Sequence, residues 1–401
     1  MPTLTLTATL PCSADVAWSL LTDPARMNTW SSAHVTLTEP GAGDDAAGVG
    51  ALRRITLPHG RISFLEVVEG SVPPHLLRYR VFRAGPLLRH HRGEQRITAT
   101  AGGGCRIDWT VDVDLVVPLL GRGMVAYLRR EVRSSLDAMR RIAEELDLGR
   151  TAAKPAVVER RHPTPERLDA LTAAARRSLA EQRAVADELA AADDPKQWFA
   201  RVYQYVTEEM IAHALDPDSA LRLENPDWVL ALIPVFHEYF ITNLDDYRHG
   251  REPESAWQRA WSICEREDPE NPALPIMKGL LAGVSAHIEA DLPRAIARVQ
   301  AAEFPDRDLR EFRPDYLALA PIFHTASARL LDDLPGSYQP WWVTPVRRLH
   351  PNFLDAAISR TGYDVARHRL RAFDEAVRLW NGSTVVRPTE SPRRTPPRSS
   401  R

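Results

Sequence analysis

Cysteine is scarce in this 401-residue sequence, and its few positions exclude several classes of fold. The three cysteines, Cys12, Cys105 and Cys264, are odd in number and far apart. Such spacing excludes a disulfide framework or a zinc ribbon as the basis of the structure. It favours a reducing compartment, and we expect a cytoplasmic protein.

Long apolar runs are also missing. The most apolar later stretch, residues 115–128, contains a proline, two glycines and an arginine, and it is shorter than the ~20 apolar residues of a membrane-spanning helix. Residues 3–10 lack the basic region and the long apolar region of a secretory signal. We therefore predict neither a signal peptide nor integral membrane association.

Neither sign of charge dominates the sequence. Its 51 lysine and arginine residues are balanced by 53 aspartate and glutamate residues, which gives a formal net charge of −2. There is no basic stripe interleaved with aromatic residues, so no nucleic-acid partner is predicted. Lysine is confined to Lys154, Lys196 and Lys278, a usage typical of GC-rich bacterial coding. The length and an apolar fraction of 44% predict two or three domains with sizeable cores.

The first part of the sequence has the pattern of an antiparallel sheet followed by a helix. Residues 3–10 alternate strictly, as in a half-buried strand, and Ser13 is placed to cap a short helix. Further strand-like runs are separated by glycine and proline, at 33–39, 50–57, 61–68, 76–83, 88–100 and 105–116. One apolar face then recurs at helical spacing, through Met124, Leu128, Val132, Leu136, Met139, Ile142 and Leu146.

Three segments in this region carry a resemblance to a known superfamily. They are DPARMNTW (23–30), GALRRITLPHG (50–60) and EVVEGSVPPHLLRYRV (66–81), and the opening strand and the long helix accompany them. Residues 1–148 resemble the START-like (SRPBCC) superfamily, which includes polyketide cyclases, aromatases and lipid carriers. The resemblance implies an α+β helix-grip fold, in which a seven-stranded antiparallel sheet wraps around a long C-terminal helix and encloses a cavity. One fold of this kind carries many functions.

The remainder of the sequence is predicted to be an all-helical domain. Residues 149–164 are polar and aperiodic and are interpreted as a linker. Thr164-Pro165-Glu166 marks a helix start, and the helical domain is assigned to 165–382. Helices are predicted at 195–215, 226–249, 253–267, 273–291, 293–303, 312–333 and 363–381. Residues 383–401 are rich in proline, arginine and serine and are predicted to be disordered.

A second resemblance lies within the helical part. The segment MKGLLAGVSAHIEADLPRAI (277–296) resembles an uncharacterised bacterial all-helical family marked by an Ala-His-Ile-x-x-Asp-Leu stretch. The segment WFARVYQYVT (198–207) and the pair Asp315-Tyr316 fit the same layout. The resemblance covers about residues 195–335. It implies a helical fold and no particular activity.

The helix-grip fold predicts a ligand pocket between the concave face of the sheet and the long helix. Its candidate lining is aromatic and aliphatic, as a small hydrophobic ligand requires: Trp30, Phe64, Leu77, Tyr79, Val81, Trp109, Val111, Val113, Met124 and Leu128. The alternative is that these side chains simply fill the core. Polar candidates include Arg54 and the stretch HHRGE (90–94), although the pattern of HHRGE favours an exposed edge or a charged outer face.

A metal site is the second candidate. His287 and Asp291 are four residues apart on a predicted helix and can share a cation, and His237 on another helix can complete the set. Glu238 and Asp315 are further carboxylate candidates, but Ile241 breaks the HExxH zincin pattern. Zinc is the divalent metal that such a set would hold. The alternative is that His287 is a satisfied core residue, that Glu238 faces solvent and that Asp291 caps the next helix.

Three functional hypotheses follow from these patterns. The first is binding of a small lipid- or polyketide-like molecule in the N-terminal pocket. The second is a polyketide cyclase or aromatase in the same pocket, and the third is a metal-dependent hydrolase in the helical domain. A wholly aliphatic pocket would favour carriage, whereas converging polar groups would favour cyclisation. The sequence determines neither the ligand nor the oligomeric state.

Overall fold

The computed structural model describes residues 2–58, 60, 62–85, 88–115, 121–145, 163–271, 273–335, 338 and 364–384. The predicted linker at 149–164 and the predicted disordered tail at 383–401 lie almost wholly outside these residues. The chain forms two compact units. Unit 1 comprises Met1–Leu168, Asp216–Pro226 and Asp306–Ala320, and unit 2 comprises Asp169–Leu215, Asp227–Pro305 and Pro321–Arg401. Each predicted domain is one continuous stretch of sequence, whereas unit 1 includes two short segments from the second half of the sequence.

Unit 1 is built on one seven-stranded antiparallel sheet, as predicted. Its spatial strand order is β1-β7-β6-β5-β4-β3-β2. The strands are β1 (Thr3–Leu10), β2 (His34–Glu39), β3 (Leu52–Thr56), β4 (Ser63–Val72), β5 (Leu76–Arg83), β6 (Leu88–Ala99) and β7 (Cys105–Leu115). Between β1 and β2 lie two short helices, α1 (Ala14–Thr22) and α2 (Pro24–Trp30).

The alternation of apolar and polar residues along β7 determines which face of the sheet is buried. Ile107, Trp109, Val111 and Val113 are buried, whereas the residues between them are partly exposed. The long helix α3 (Gly121–Glu145) packs against β1 and β7 and contributes Val132, Leu136 and Met139 to the same core. This arrangement confirms the predicted helix-grip fold.

The two short helices are fixed by their caps. The Ser13 hydroxyl accepts from the backbone N–H of Val16 at 3.4 Å, and the Asp23 carboxylate accepts from that of Ala25 at 2.9 Å. At the end of α2, the Trp30 indole donates to the carbonyl of Leu20 at 2.7 Å. These contacts hold the Trp30 ring in the buried core of unit 1.

Within unit 1, the two segments from the second half of the sequence contact the N-terminal part through charged side chains. The buried Arg313 guanidinium donates to the carbonyl of Gly50 at 2.8 Å, and Arg80 donates to the carbonyl of Pro314 at 2.9 Å. Arg78 forms an ion pair with Glu224 at 3.1 Å. Because Arg78 and Arg80 alternate along β5 with buried Leu77 and Tyr79, these contacts lie on the face opposite the buried core.

Unit 2 is helical, as predicted. It contains most of α4 (Pro165–Ala191), α5 (Gln197–Leu215), α6 (Pro226–Arg248), α7 (Ser255–Cys264), α8 (Ala273–Ser285), α9 (Leu292–Glu303), α11 (Ala320–Asp333) and α12 (Val365–Thr384), whereas α10 (Arg313–Ala318) belongs to unit 1. Its core is aromatic and is built by Phe199, Tyr203, Phe240, Trp257 and Trp261. None of the helices in the described residues is long and apolar enough to span a membrane.

One helix predicted for unit 2 is interrupted by a π-helical turn. The sequence predicts a single helix over 273–291, but Ala286–Asp291 forms a π-helical turn between α8 and α9. Such turns are rare and are often found at functional sites. This one carries both His287 and Asp291.

Candidate functional sites

The structure places the ten predicted pocket residues in different surroundings. Most of them belong to the main buried cluster of unit 1 or pack against it: Trp30, Phe64, Tyr79, Trp109, Val111 and Leu128. The other four lie outside that cluster: Leu77, Val81, Val113 and Met124. Leu77 packs instead with Ala51 and Val68. Whether any of these side chains contacts a ligand remains a prediction.

A buried ion pair lies among the apolar side chains on the inner face of the sheet. Arg53 on β3 and Glu66 on β4 are register partners, and Arg53 Nε lies 2.8 Å from Glu66 Oε1. Only 1% of the Arg53 side chain is exposed. Burial raises the pKa of Glu66, and the adjacent guanidinium opposes that shift. Arg54, the polar candidate predicted from the sequence, is exposed, whereas Arg53 lies two residues from the buried Ile55 and points to the same face of the strand.

Tyr79 lies close to this ion pair. Its hydroxyl accepts from the Trp109 indole at 3.1 Å, and its ring centroid lies 6.0 Å from the Arg53 guanidinium. Burial raises the pKa of Tyr79, so the phenol stays protonated at neutral pH. A Cβ on Gly93 would lie 2.1 Å from the Tyr79 ring, so glycine is needed where the ring crosses β6.

His91 completes the polar group on the inner face. It pairs with Val113 across β6 and β7, and its ring centroid lies 6.1 Å from that of Tyr79 and 6.5 Å from that of Phe64. Burial lowers the pKa of His91 to about 4, which keeps the imidazole neutral. Its Nδ1 has no hydrogen-bond partner among the described residues. The charged-outer-face interpretation of 90–94 therefore does not apply to His91.

The other group of buried polar side chains lies in unit 2, around His287. His287 Nδ1 lies 2.9 Å from Asp291 Oδ2, and the same oxygen accepts from the Trp257 indole at 2.9 Å. Asp291 Oδ1 accepts from Arg294 at 2.9 Å. Asp291 is fully buried, so it orients His287 from within the core. Burial lowers the pKa of His287, partly offset by Asp291.

His237 lies near His287 but pairs with a different carboxylate. His237 Nε2 lies 3.0 Å from Glu181 Oε2. The preceding residue, Phe236, stacks on the His287 ring with a centroid distance of 3.5 Å. Tyr203 packs with both histidines, with its ring centroid 4.6 Å from that of His287 and 6.4 Å from that of His237.

The predicted metal-ligand set needs correction in its carboxylates. Within the described residues, no three histidine, cysteine, aspartate or glutamate side chains form a group that could hold a metal ion. Both oxygens of Asp291 are engaged by His287, Trp257 and Arg294, so Asp291 supports His287 rather than completing a set with His237.

The two further carboxylate candidates have other partners. Glu238 forms an ion pair with Arg298 at 2.9 Å. Asp315 lies in unit 1, where it accepts from the backbone N–H groups of Glu224 and Asn225 at 2.7 and 2.9 Å. Burial raises the pKa of Asp315 to about 6.

Comparison with known proteins supports the resemblance seen in the first part of the chain. Residues 1–144 match the family described as polyketide cyclase / dehydrase and lipid transport. Two solved structures match about the same region. The Zhui aromatase/cyclase from Streptomyces sp. R1128 is 19% identical, with 36% of this chain and 94% of that chain covered and a TM-score of 0.31. A START superfamily protein from Mycobacterium smegmatis is 12% identical, with 36% and 97% covered and a TM-score of 0.32.

The second resemblance is supported by a longer match. No curated protein matches the chain significantly. Residues 176–395, more than half of the chain, match a family model described as a family of unknown function, DUF5995. The matched interval includes the π-helical turn with His287 and Asp291 and also the two segments that join unit 1. The chain therefore belongs to the DUF5995 family, and its N-terminal START-like fold lies in the region that matches the polyketide cyclase / dehydrase and lipid transport model.

Proposed function

We propose that the START-like domain binds a small, mainly apolar molecule on the inner face of its sheet. The observation that carries this proposal is a cluster of polar side chains set among aromatic and aliphatic residues, namely the buried Arg53, Glu66 and Tyr79 and the partly buried His91. Ligand sites for small hydrophobic molecules combine such walls with a few placed polar groups. A neutral imidazole and a protonated phenol are suited to a carbonyl or hydroxyl group of the ligand.

These four polar side chains also favour a ligand that carries oxygen atoms over a plain hydrocarbon chain. Arg53 and Glu66 would be costly to bury if the face served only to hold an aliphatic tail. The Trp109 indole already donates to the Tyr79 hydroxyl, so that hydroxyl is left with its own proton to donate. A polyketide-like molecule would fit this pattern better than a saturated lipid.

A displacement assay on the full chain tests the binding proposal. The probe is 1-anilinonaphthalene-8-sulfonate, and the competitors are lauric acid and 1,8-dihydroxyanthraquinone. We expect the anthraquinone to displace the probe with one-to-one stoichiometry and more tightly than lauric acid. Tyr79→Phe should weaken the anthraquinone by about tenfold, the loss of one buried hydrogen bond.

The matched control is Tyr127→Phe, because Tyr127 is a large exposed aromatic residue on α3. It should leave the affinity unchanged. Equal effects of the two tyrosine variants, or displacement without saturation, would reject the inner face as the site. Tighter binding of lauric acid would keep the site and reassign the ligand to lipids.

Cyclisation is a second candidate, because a neutral histidine lies beside a phenol. His91 could remove a proton from the carbon between two carbonyl groups, and Tyr79 could donate a hydrogen bond to the enolate oxygen. The resulting carbanion would attack a second carbonyl of the same chain, and the alkoxide formed would take the proton back from His91. Loss of the new hydroxyl with a neighbouring hydrogen as water would follow. Mass spectrometry of a poly-β-ketone thioester incubated with the protein should show a dehydrated product that His91→Gln abolishes and His90→Gln does not.

A further inference from the structure

We propose that unit 2 binds one divalent transition-metal ion through His287 Nε2, His237 Nδ1 and the hydroxyl oxygen of Tyr203. None of these three atoms has a hydrogen-bond partner among the described residues. The three side chains come from different elements, namely the π-helical turn, α6 and α5. This proposal is independent of the ligand site proposed for unit 1.

Burial makes these three atoms unusual. Tyr203, His237 and His287 are 5%, 3% and 5% exposed. Buried polar atoms almost always have a partner, and an orphaned one calls for an explanation such as a bound ion or an ordered water. The Tyr203 ring packs with both histidine rings, and under this proposal a single ion satisfies all three atoms.

Each histidine is held as a metal-binding histidine usually is. His287 has its Nδ1 at Asp291, and His237 has its Nε2 at Glu181. A carboxylate on one ring nitrogen fixes the tautomer and leaves the lone pair of the other nitrogen for a cation. Asp291 is itself held by Trp257 and Arg294, so the His287 side of the site has a rigid outer layer.

The aromatic packing fixes the position of the His287 ring. Phe236 stacks on it in nearly parallel orientation, with an interplanar angle of 8°, and Tyr203 meets it edge-on at 78°. The π-helical turn carries both His287 and Asp291 into the core of unit 2. Metal sites in helical bundles are commonly built in this way, from inward side chains of facing helices.

The donor set selects the class of metal. Two imidazole nitrogens and a phenol oxygen suit zinc or copper better than magnesium or calcium, which prefer several carboxylate or carbonyl oxygens. This assignment keeps the two histidines of the sequence-predicted set and replaces Asp291 as a ligand with Tyr203. Solvent would occupy any remaining coordination position.

Metal titration of the full chain tests the proposal directly. The protein is stripped with EDTA, dialysed, and titrated with zinc in competition with a chromophoric chelator. We expect one equivalent to bind, and His287→Asn and His237→Asn should each lower the affinity by at least tenfold. Tyr203→Phe, which removes the third ligand atom, should also lower the affinity by at least tenfold. Asp291→Asn should weaken binding by about 10- to 100-fold, the range seen for supporting residues at metal sites.

The control is His249→Asn, because His249 is an exposed histidine of the same unit and pairs with Asp245. It should bind zinc like the wild type. Copper loading of the unmodified chain gives a readout that needs no variant, since electron paramagnetic resonance should detect two imidazole nitrogens on one Cu²⁺. No saturable zinc uptake, or a copper signal without imidazole nitrogen, would overturn the proposal and assign the three atoms to ordered water.

Discussion

At the residue scale, we expect the buried Arg53–Glu66 ion pair to be important for the free energy of unfolding. Glu66→Gln leaves a guanidinium charge buried without its partner, and it should lower the free energy of unfolding by about 3–5 kcal/mol. Urea denaturation measures the change. The exposed pair Arg96–Glu94 supplies the control, since Glu94→Gln should cost less than about 1 kcal/mol. Similar losses for both variants would mean that the inner pair is more solvated than its burial indicates.

The raised pKa of Asp315 should make the stability of the folded chain depend on pH. Its pKa is raised to about 6 in the folded state, against a reference value of 3.8. The folded state therefore holds the proton more tightly, so the stability from this group is complete below about pH 4 and is lost as the pH rises to about 6. The difference is about 3 kcal/mol.

Denaturation of the full chain at several pH values from 4 to 7 tests this dependence. Asp315→Asn should flatten the fall in stability over that range. Asp137→Asn is the control, since Asp137 is exposed on α3, and it should keep the wild-type profile. An unchanged profile in Asp315→Asn would show that other groups govern this part of the curve.

At the element scale, helices α7 and α8 approach each other closely at Gly279. A Cβ there would lie 2.2 Å from the Cβ of Cys264, so Gly279→Ala must push the two helices apart. We expect a loss of about 1–3 kcal/mol in the stability of the helical unit, measured by thermal denaturation followed by circular dichroism.

Gly382 on α12 gives the matching control for this helix contact. It has open space around its missing side chain, so Gly382→Ala should be neutral or slightly stabilising, as alanine is the better helix former. If the two alanine variants have the same melting temperature, the close approach of α7 and α8 is not a constraint on unit 2.

The same elements explain what the sequence could predict. The strands and the long helix were predicted because alternation and helical spacing are local patterns, and β7 and α3 carry them clearly. The Arg53–Glu66 pair depends on the register of two strands, which the spacing of one strand does not contain. The π-helical turn was missed for a related reason, since its residues have ordinary helical spacing.

Only part of the surroundings of His287 follows from its sequence neighbours. The i, i+4 spacing places His287 and Asp291 on one helix face, where a shared cation was predicted, and in the structure the two side chains are within hydrogen-bond distance. It could not show which oxygens Trp257 and Arg294 occupy, because those residues are distant in sequence or reach Asp291 through a long side chain. No sequence motif marks Tyr203 as a metal ligand. It becomes a candidate ligand only because its ring packs with both histidines in the structure.

At the scale of the whole molecule, unit 1 draws on parts of the chain that are far apart in sequence. Besides its N-terminal portion it contains residues 216–226 and 306–320, and the buried Arg313 donates to the carbonyls of Gly50 and Pro40. Arg310 also approaches so closely that a Cβ on Gly50 would lie 2.0 Å from its carbonyl oxygen. Segments of the region that matches DUF5995 are thus part of the same compact unit as the START-like sheet.

A fragment of residues 1–162 should therefore fold less stably than unit 1 does in the full chain. The fragment lacks Glu224 and Arg313, which leaves Arg78 without its ion pair and the carbonyl of Gly50 without its donor. Hydrogen exchange should be at least about tenfold faster in residues 40–50 and in β5, equivalent to 1.4 kcal/mol. The smallest change should occur in β1, which pairs with β7 at the other edge of the sheet. Equal protection in the fragment and the full chain would mean that the START-like domain is complete without the two segments.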